Sequence, residues 1–172
     1  QQKEEIKDSL ERCRVLYRSG AYEQAVESYA EHYEGMKLDA RYLFEYGHAL
    51  HKLHRNEESN RILQEALKVS SDPMILNIIG KNFQEMQQYK EAEHWLIRST
   101  HRLPGRVYPN YLLAKLYQEA GDYFPSEKQY WAIRMVLETE PKVHSRAIDE
   151  MREEVKRIAK NVHPIERKLF GK

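Results

Sequence analysis

A period of about 34 residues constrains this chain more than any other feature of its sequence. Tyr22, Asn56, Tyr89 and Tyr123 recur at intervals of 34, 33 and 34, and Ala25, Ser59, Ala92 and Ser126 follow each by three residues. Earlier in every unit stands a small residue, Cys13, Gly47, Gly80 or Ala114, with a large one three positions on: Leu16, Leu50, Phe83, Tyr117. Tyr29, Leu63, Leu96 and Tyr130 keep the step in the second half. Apolar residues within a unit have helical spacing, as in Leu76, Ile79 and Phe83 followed by Ala92 and Leu96. Each unit is therefore a pair of helices that cannot bury its apolar stripe alone, and stacked units share a core. The small column lets a partner backbone come close, and the large residue one turn on fills the space beside that contact.

The segment LNIIGKNFQEMQQYKEAEHWLIRSTHRLP, residues 76–104, places Gly80, Phe83, Tyr89, Ala92, Leu96 and Pro104 on a pattern that resembles the tetratricopeptide repeat (TPR). The resemblance covers residues 6–141. It implies an all-α fold, a right-handed α-solenoid of about four TPR-like hairpins at residues 5–38, 39–72, 73–105 and 106–141. Cys13, Gly47, Gly80, Ala114, Ala25, Ala92, Tyr89 and Tyr123 are then structural, with Tyr123 packed beneath its turn. Two departures stand out: the early tryptophan column reads Ser9, Leu43, Leu76 and Asn110, and about three extra residues lie between Gly121 and Pro141.

Helices are expected at 4–18, 22–34, 40–53, 56–69, 73–86, 89–101, 108–119, 126–138 and 145–161. Asp72-Pro73 is a helix start, an acceptor side chain followed by proline in the first turn. Ala120-Gly121-Asp122-Tyr123 reads as a helix-to-helix turn in which Gly121 adopts a left-handed conformation. After Pro141, Ile148, Met151, Val155, Ile158 and Val162 form one stripe against a charged face, which predicts a capping helix within residues 142–162. Residues 163–172 read as a poorly ordered tail unless Ile165, Leu169 and Phe170 find a docking surface.

The 28 Lys and Arg residues nearly balance 27 Asp and Glu, which argues against a bulk preference for nucleic acid. The single cysteine, Cys13, excludes an intrachain disulfide and a cysteine-based zinc site. No apolar run approaches the roughly 20 residues that span a bilayer. Opening on Gln1 rather than Met, the chain reads as an excised piece of a longer protein. His48, His51 and His54 share a helix at steps of three, but no third well-placed ligand accompanies a pair, and they read as solvated or groove-facing. Trp95 and Trp131 are expected to pack between repeats. There is no GxSxG nucleophile and no glycine-rich phosphate loop. The reading is a non-catalytic chain without cofactor or metal.

The repeat resemblance implies a concave groove lined by the first helix of each unit. Mapped here, it holds Lys7, Arg14, Tyr17 and Arg18; then Arg41, Phe44, His48, His51 and Lys52; then Asn77, Lys81 and Gln84; and last Tyr108, Tyr111, Lys115 and Gln118. This set is basic and aromatic, with few acids. It suits a protein or peptide partner, an acidic one in particular, or alternatively a carbohydrate or lipid-linked glycan. Leu10 and Arg14 occupy the steps where chaperone-binding members carry Lys and Asn, so heat-shock chaperone tails are not expected.

Residues 103–157 carry a second resemblance. Pro109-Asn110-Tyr111, Lys115-Leu116-Tyr117 and the run from Pro141-Lys142-Val143 to Ile148-Glu150-Met151-Arg152 are similar to the carboxy-terminal repeat region of bacterial O-antigen polymerase/ligase-type membrane proteins. That resemblance implies a soluble appendage of an inner-membrane parent, on its periplasmic side, that docks partners or substrate while the chemistry resides elsewhere.

Overall fold

The computed structural model describes residues 1–162. The tail 163–172, with Ile165, Leu169 and Phe170, lies outside the described residues. Among the described residues regular structure is entirely helical: α1 (Gln2–Arg18), α2 (Tyr22–Glu31), α3 (Tyr33–Met36), α4 (Ala40–Lys52), α5 (Asn56–Ala66), α6 (Pro73–Glu85), α7 (Tyr89–Arg102), α8 (Val107–Ala120), α9 (Ser126–Glu138) and α10 (Arg146–Ala159). The helix expected over 22–34 breaks at His32 (φ −100°, ψ 2°), which separates α2 from the single turn of α3. Asp39 caps α4 by accepting from the Tyr42 amide, and Asp72 caps α6 by accepting from the Met74 amide ahead of Pro73.

The chain divides into two compact units, Gln1–Gln87 and the residues from Gln88 onward. In the first, α4 packs against α2 and α5, and α5 against α6. Its core is built from Leu10, Val26, Tyr29, Tyr42, Leu43, Leu50, Leu63, Ile75 and Ile79, each at most 7% exposed. The small column sets the spacing. Cys13 is buried with its Sγ 2.8 Å from Ser28 Oγ, and Gly47 lies so close to α5 that a Cβ there would meet Leu63 Cδ2 at 2.5 Å and Cγ at 2.6 Å. Ser59 Oγ donates to the Gly47 carbonyl at 2.7 Å across the same approach.

In the second unit α8 packs against α7, α9 and α10. Its small positions Ala92 and Ala114 are both fully buried, and Gly80 is buried in the first unit. Val155, Ile158 and Val162 bury the stripe of the last helix, and the Arg152 guanidinium donates to the carbonyls of Val136 (3.2 Å) and Thr139 (2.6 Å) at the end of α9. Those carbonyls have no partner further along their own helix, so Arg152 closes it from outside.

The fourth copy of the repeat slips. Its extra residues form a 3-10 turn, Gly121–Tyr123, followed by Phe124-Pro125, so α9 starts at Ser126 rather than at the column of Tyr22, Asn56 and Tyr89. Phe124 is the ring that goes under the turn, edge-on to Tyr117 at 5.1 Å. Tyr123, expected there, is 58% exposed and leans on Tyr89 and Phe124. The buried columns of α9 move three residues on: Ile133 and Val136 are fully buried, whereas Ser126 is exposed and Tyr130 half-buried. This displacement also turns Trp131 outward, at 59% exposure, instead of between helices.

One residue in each turn has positive φ, and these residues also keep the 34, 33, 34 spacing: Gly20 (83°), His54 (57°), Gln87 (58°) and Gly121 (56°). Two of the four carry a side chain where the left-handed region disfavours one by roughly 1–2 kcal/mol. Gln87→Gly should therefore raise the unfolding free energy by about 0.5–1 kcal/mol, read as a higher melting temperature. Gly47→Ala should lower it by about 1–2 kcal/mol despite alanine's better helix propensity, because the fully buried Leu63 side chain would have to shift to admit the Cβ. Adding Leu63→Ala to that variant should cost less than the sum of the single changes, measured by denaturant unfolding of all three proteins.

Candidate functional site

The small residues of α1, α4 and α6 point inward, which leaves their flanking positions to form a face on the first unit. Aromatic and imidazole rings run along it. Tyr17 meets His48 edge-on at 5.7 Å, Phe44 stacks on His48 at 5.9 Å, and His48 stacks on His51 at 6.1 Å. Tyr17 Oη is 2.5 Å from His48 Nδ1. Tyr17, Phe44 and His48 are each half-buried, so ring surface remains open to solvent. Burial, followed by the charges of neighbours His51, Lys52 and Lys81, pushes the His48 pKa down to about 4, and the imidazole is neutral at pH 7. Burial, then Glu45, pushes Tyr17 up to about 12.

His51 belongs to the interior. Its Nδ1 lies 2.6 Å from Asn82 Oδ1, while Asn82 Nδ2 donates to Ser59 Oγ and Asn60 Oδ1, both at 2.8 Å. Since the amide nitrogen is spent on those acceptors, Oδ1 is left to accept, and the His51 proton resides on Nδ1. The network pins α4, α5 and α6 at one point. The groove assignment of His51 is thus corrected: it is 6% exposed. Asn77 is likewise buried, at 3%, with its amide toward Met74 Sδ. His54, third in the series, is exposed beside Glu85 at 3.0 Å, and no group of three His, Cys, Asp or Glu among the described residues is placed to hold a metal.

The expected cationic character changes most. Arg14 and Arg41 converge on Glu45, at 3.5 and 2.7 Å, and the same carboxylate accepts from Tyr29 Oη at 2.6 Å. Glu45 is only 6% exposed. Arg18 pairs with Glu11 at 3.6 Å. Lys52 is exposed and Lys81 half-exposed, and neither makes an ion pair among the described residues. Of the expected groove cations, the lysines Lys7, Lys52 and Lys81 are the ones in no ion pair among the described residues, and Lys52 and Lys81 are the two beside the rings of α4. Arg41 and Glu45 stand four apart on one helix, a spacing that foretells their pairing; the approach of Arg14 and Tyr29 from two other helices has no such signature.

In the second unit, Tyr108 stacks on Tyr111 at 6.2 Å, Tyr111 donates its hydroxyl to Glu154, and Lys115 pairs with Glu154 at 3.1 Å. These expected groove residues are therefore covered in part by α10. Trp95 is half-buried, with the Arg98 guanidinium 4.6 Å over its ring. Glu93, a residue to which the repeat pattern draws no attention, holds Tyr117 Oη at 2.7 Å and Lys128 Nζ at 2.9 Å.

No protein-family model matches the chain, and no curated protein matches it in sequence. Solved structures do. The crystal structure of MamA superposes with a TM-score of 0.67 over 93% of this chain and 97% of that one, at 14% identity. MamA 41-end from Desulfovibrio magneticus RS-1 gives 0.68 over 94% and 95%, at 20% identity. MamA MSR-1 C2 gives 0.61 over 88% and 87%, at 17% identity. The fold is TPR-like and all-α. At such identities the likeness concerns backbone architecture.

Removing the Glu45 carboxylate strands a buried hydroxyl. Glu45→Ala should lower stability by about 1–3 kcal/mol through the Tyr29 group left without its acceptor, measured by urea unfolding. His48 carries a pH signature of the same sign as a paired carboxylate, displaced to a higher window. Its folded pKa of about 4 lies below the usual histidine value of 6.5, so the unfolded chain binds the proton first. The stabilisation is complete above pH 6.5 and is lost progressively as pH falls toward 4. The slope of unfolding free energy against pH over that window should be shallower in His48→Gln than in the unaltered protein.

Proposed function

We propose that this chain is a non-catalytic protein-interaction module and that it holds an extended peptide along the α1, α4 and α6 face. The observation that carries the reading is the row of partly open rings, Tyr17, His48 and Phe44, beside the ammonium groups of Lys52 and Lys81, which make no ion pair among the described residues. Ring faces supply apolar contact at low entropic cost, and flanking cations attract carboxylates. The ligand class that fits is a peptide with aromatic or aliphatic side chains interrupted by acids. Arg14 and Arg41 take part only as the frame that holds Glu45 in place.

The TPR-like fold supports an interaction role, since stacked hairpins present extended surfaces of this kind. The similarity of residues 103–157 to O-antigen polymerase/ligase-type proteins supports a parent protein embedded in a membrane, with this module on its periplasmic side. The described helices include none long and apolar enough to cross a membrane, so in this reading the parent's spans lie elsewhere.

A selection of phage-displayed random peptides on the purified protein tests the docking face. Enriched peptides should be acidic and rich in aromatic or aliphatic residues, and Lys52→Glu/Lys81→Glu should weaken them about tenfold or more, as should Phe44→Ala. Lack of enrichment, or affinities in both variants within about twofold of the original, would refute the assignment.

A further inference from the structure

The second unit has an apolar cavity of about 310 Å³ that the ring face does not involve. Its walls come from two irregular segments and two helices: Leu103 and Pro104, Val143, Val107 at the start of α8, and Ile148 and Met151 of α10. Leu103 is 45% and Val143 76% exposed, so greasy side chains stand at the lip without cover from the described residues. The charged side chains lining it are Arg106 and Lys142, both exposed and neither in an ion pair among the described residues. Among the described residues no carboxylate lines the cavity. A pocket that is apolar inside and cationic at its rim is complementary to an apolar group that carries negative charge next to it.

We infer that this cavity is a second peptide-binding site, which takes one or two aliphatic or aromatic side chains of a partner segment while adjacent Asp or Glu residues meet Arg106 and Lys142. Size argues for this occupant. The volume lies at the low end of the roughly 300–1,000 Å³ of ligand pockets, enough for side chains of a linear segment. Burial of the Leu103 and Val143 lip supplies the apolar gain, and the rim cations select for acids and speed encounter. The site lies entirely within the unit that begins at Gln88 and does not rest on the ring face of α1, α4 and α6.

The test uses the full chain and fluorescein-labelled synthetic peptides, each with one Leu, Ile, Phe or Met in an Asp/Ser background, and the same set in a Lys/Ser background. Members of the acidic set should saturate by anisotropy at micromolar concentrations, whereas the lysine set should bind about tenfold more weakly or worse. Arg106→Glu/Lys142→Glu, at exposed positions where folding is little affected, should weaken the acidic set about tenfold or more. Met151→Trp, which occupies the cavity, should do the same, with its melting curve as a check on folding. The rim and cavity variants are also made in a Lys52→Glu/Lys81→Glu background, where the ring face no longer takes acidic peptides: acidic-set binding that persists there and falls with the rim reversal belongs to the cavity, which separates failure here from failure of the ring face. Equal affinity for both sets, or indifference to the rim reversal, overturns the inference. So does binding of anionic phosphatidylserine vesicles through the same rim when no acidic peptide binds, and so does a self-association that the rim reversal abolishes in place of peptide binding.

Discussion

Close approach of α4 to α5 at Gly47 is the constraint on which the first unit depends. With hydrogen in place of a side chain, Leu63 comes within 2.5 Å of where a Cβ would stand, and Ser59 reaches the Gly47 carbonyl. That proximity fixes the rotation of α4 about its own axis. Once Gly47 faces α5, Phe44 and His48 face outward, and Glu45 is driven between helices where Arg14, Arg41 and Tyr29 collect around it. The ring face is thus a consequence of a packing decision taken on the adjoining side of the helix.

Charge follows the same logic. A count of Lys and Arg on groove-lining columns overstates the positive potential available to a ligand, because burial of a carboxylate requires that it be paired and hydrogen-bonded. Glu45 claims two arginines of the first unit, and Glu154 claims Lys115 of the second. Lys52, Lys81, Arg106 and Lys142 remain without ion pairs among the described residues, and they stand beside open rings or an open apolar cavity. What marks both proposed sites is the juxtaposition of such uncommitted charge with uncovered apolar surface.

The fourth repeat shows how a small insertion is absorbed. Three extra residues become a 3-10 turn, Phe124 replaces Tyr123 as the buried ring, and Ile133 and Val136 take up the buried columns of the next helix. Helical geometry allows this because a shift of three residues is close to one turn, and the apolar stripe returns to nearly the same direction. Trp131 then points outward on a helix whose other face remains fully packed.

How much of this was legible depends on whether the signal was periodic. The helices, the small columns at Cys13, Gly47, Gly80 and Ala114, and the Asp72-Pro73 start follow from spacing and local propensity, which act within one or two turns of chain and leave a repeating trace. The TPR-like architecture follows from those columns. The positive-φ residues His54 and Gln87 keep the period without advertising it, since neither is glycine. The burial of His51 and Asn77, the Glu45 hub and the Glu154 cover could not be read in advance, because each joins residues from different helices whose rotation is set by packing. The sequence by itself determined that helical hairpins of one kind recur here; the tertiary structure decided which charges are spent holding them together and which are left to meet a partner, because pairing depends on distances that exist only once the helices have docked.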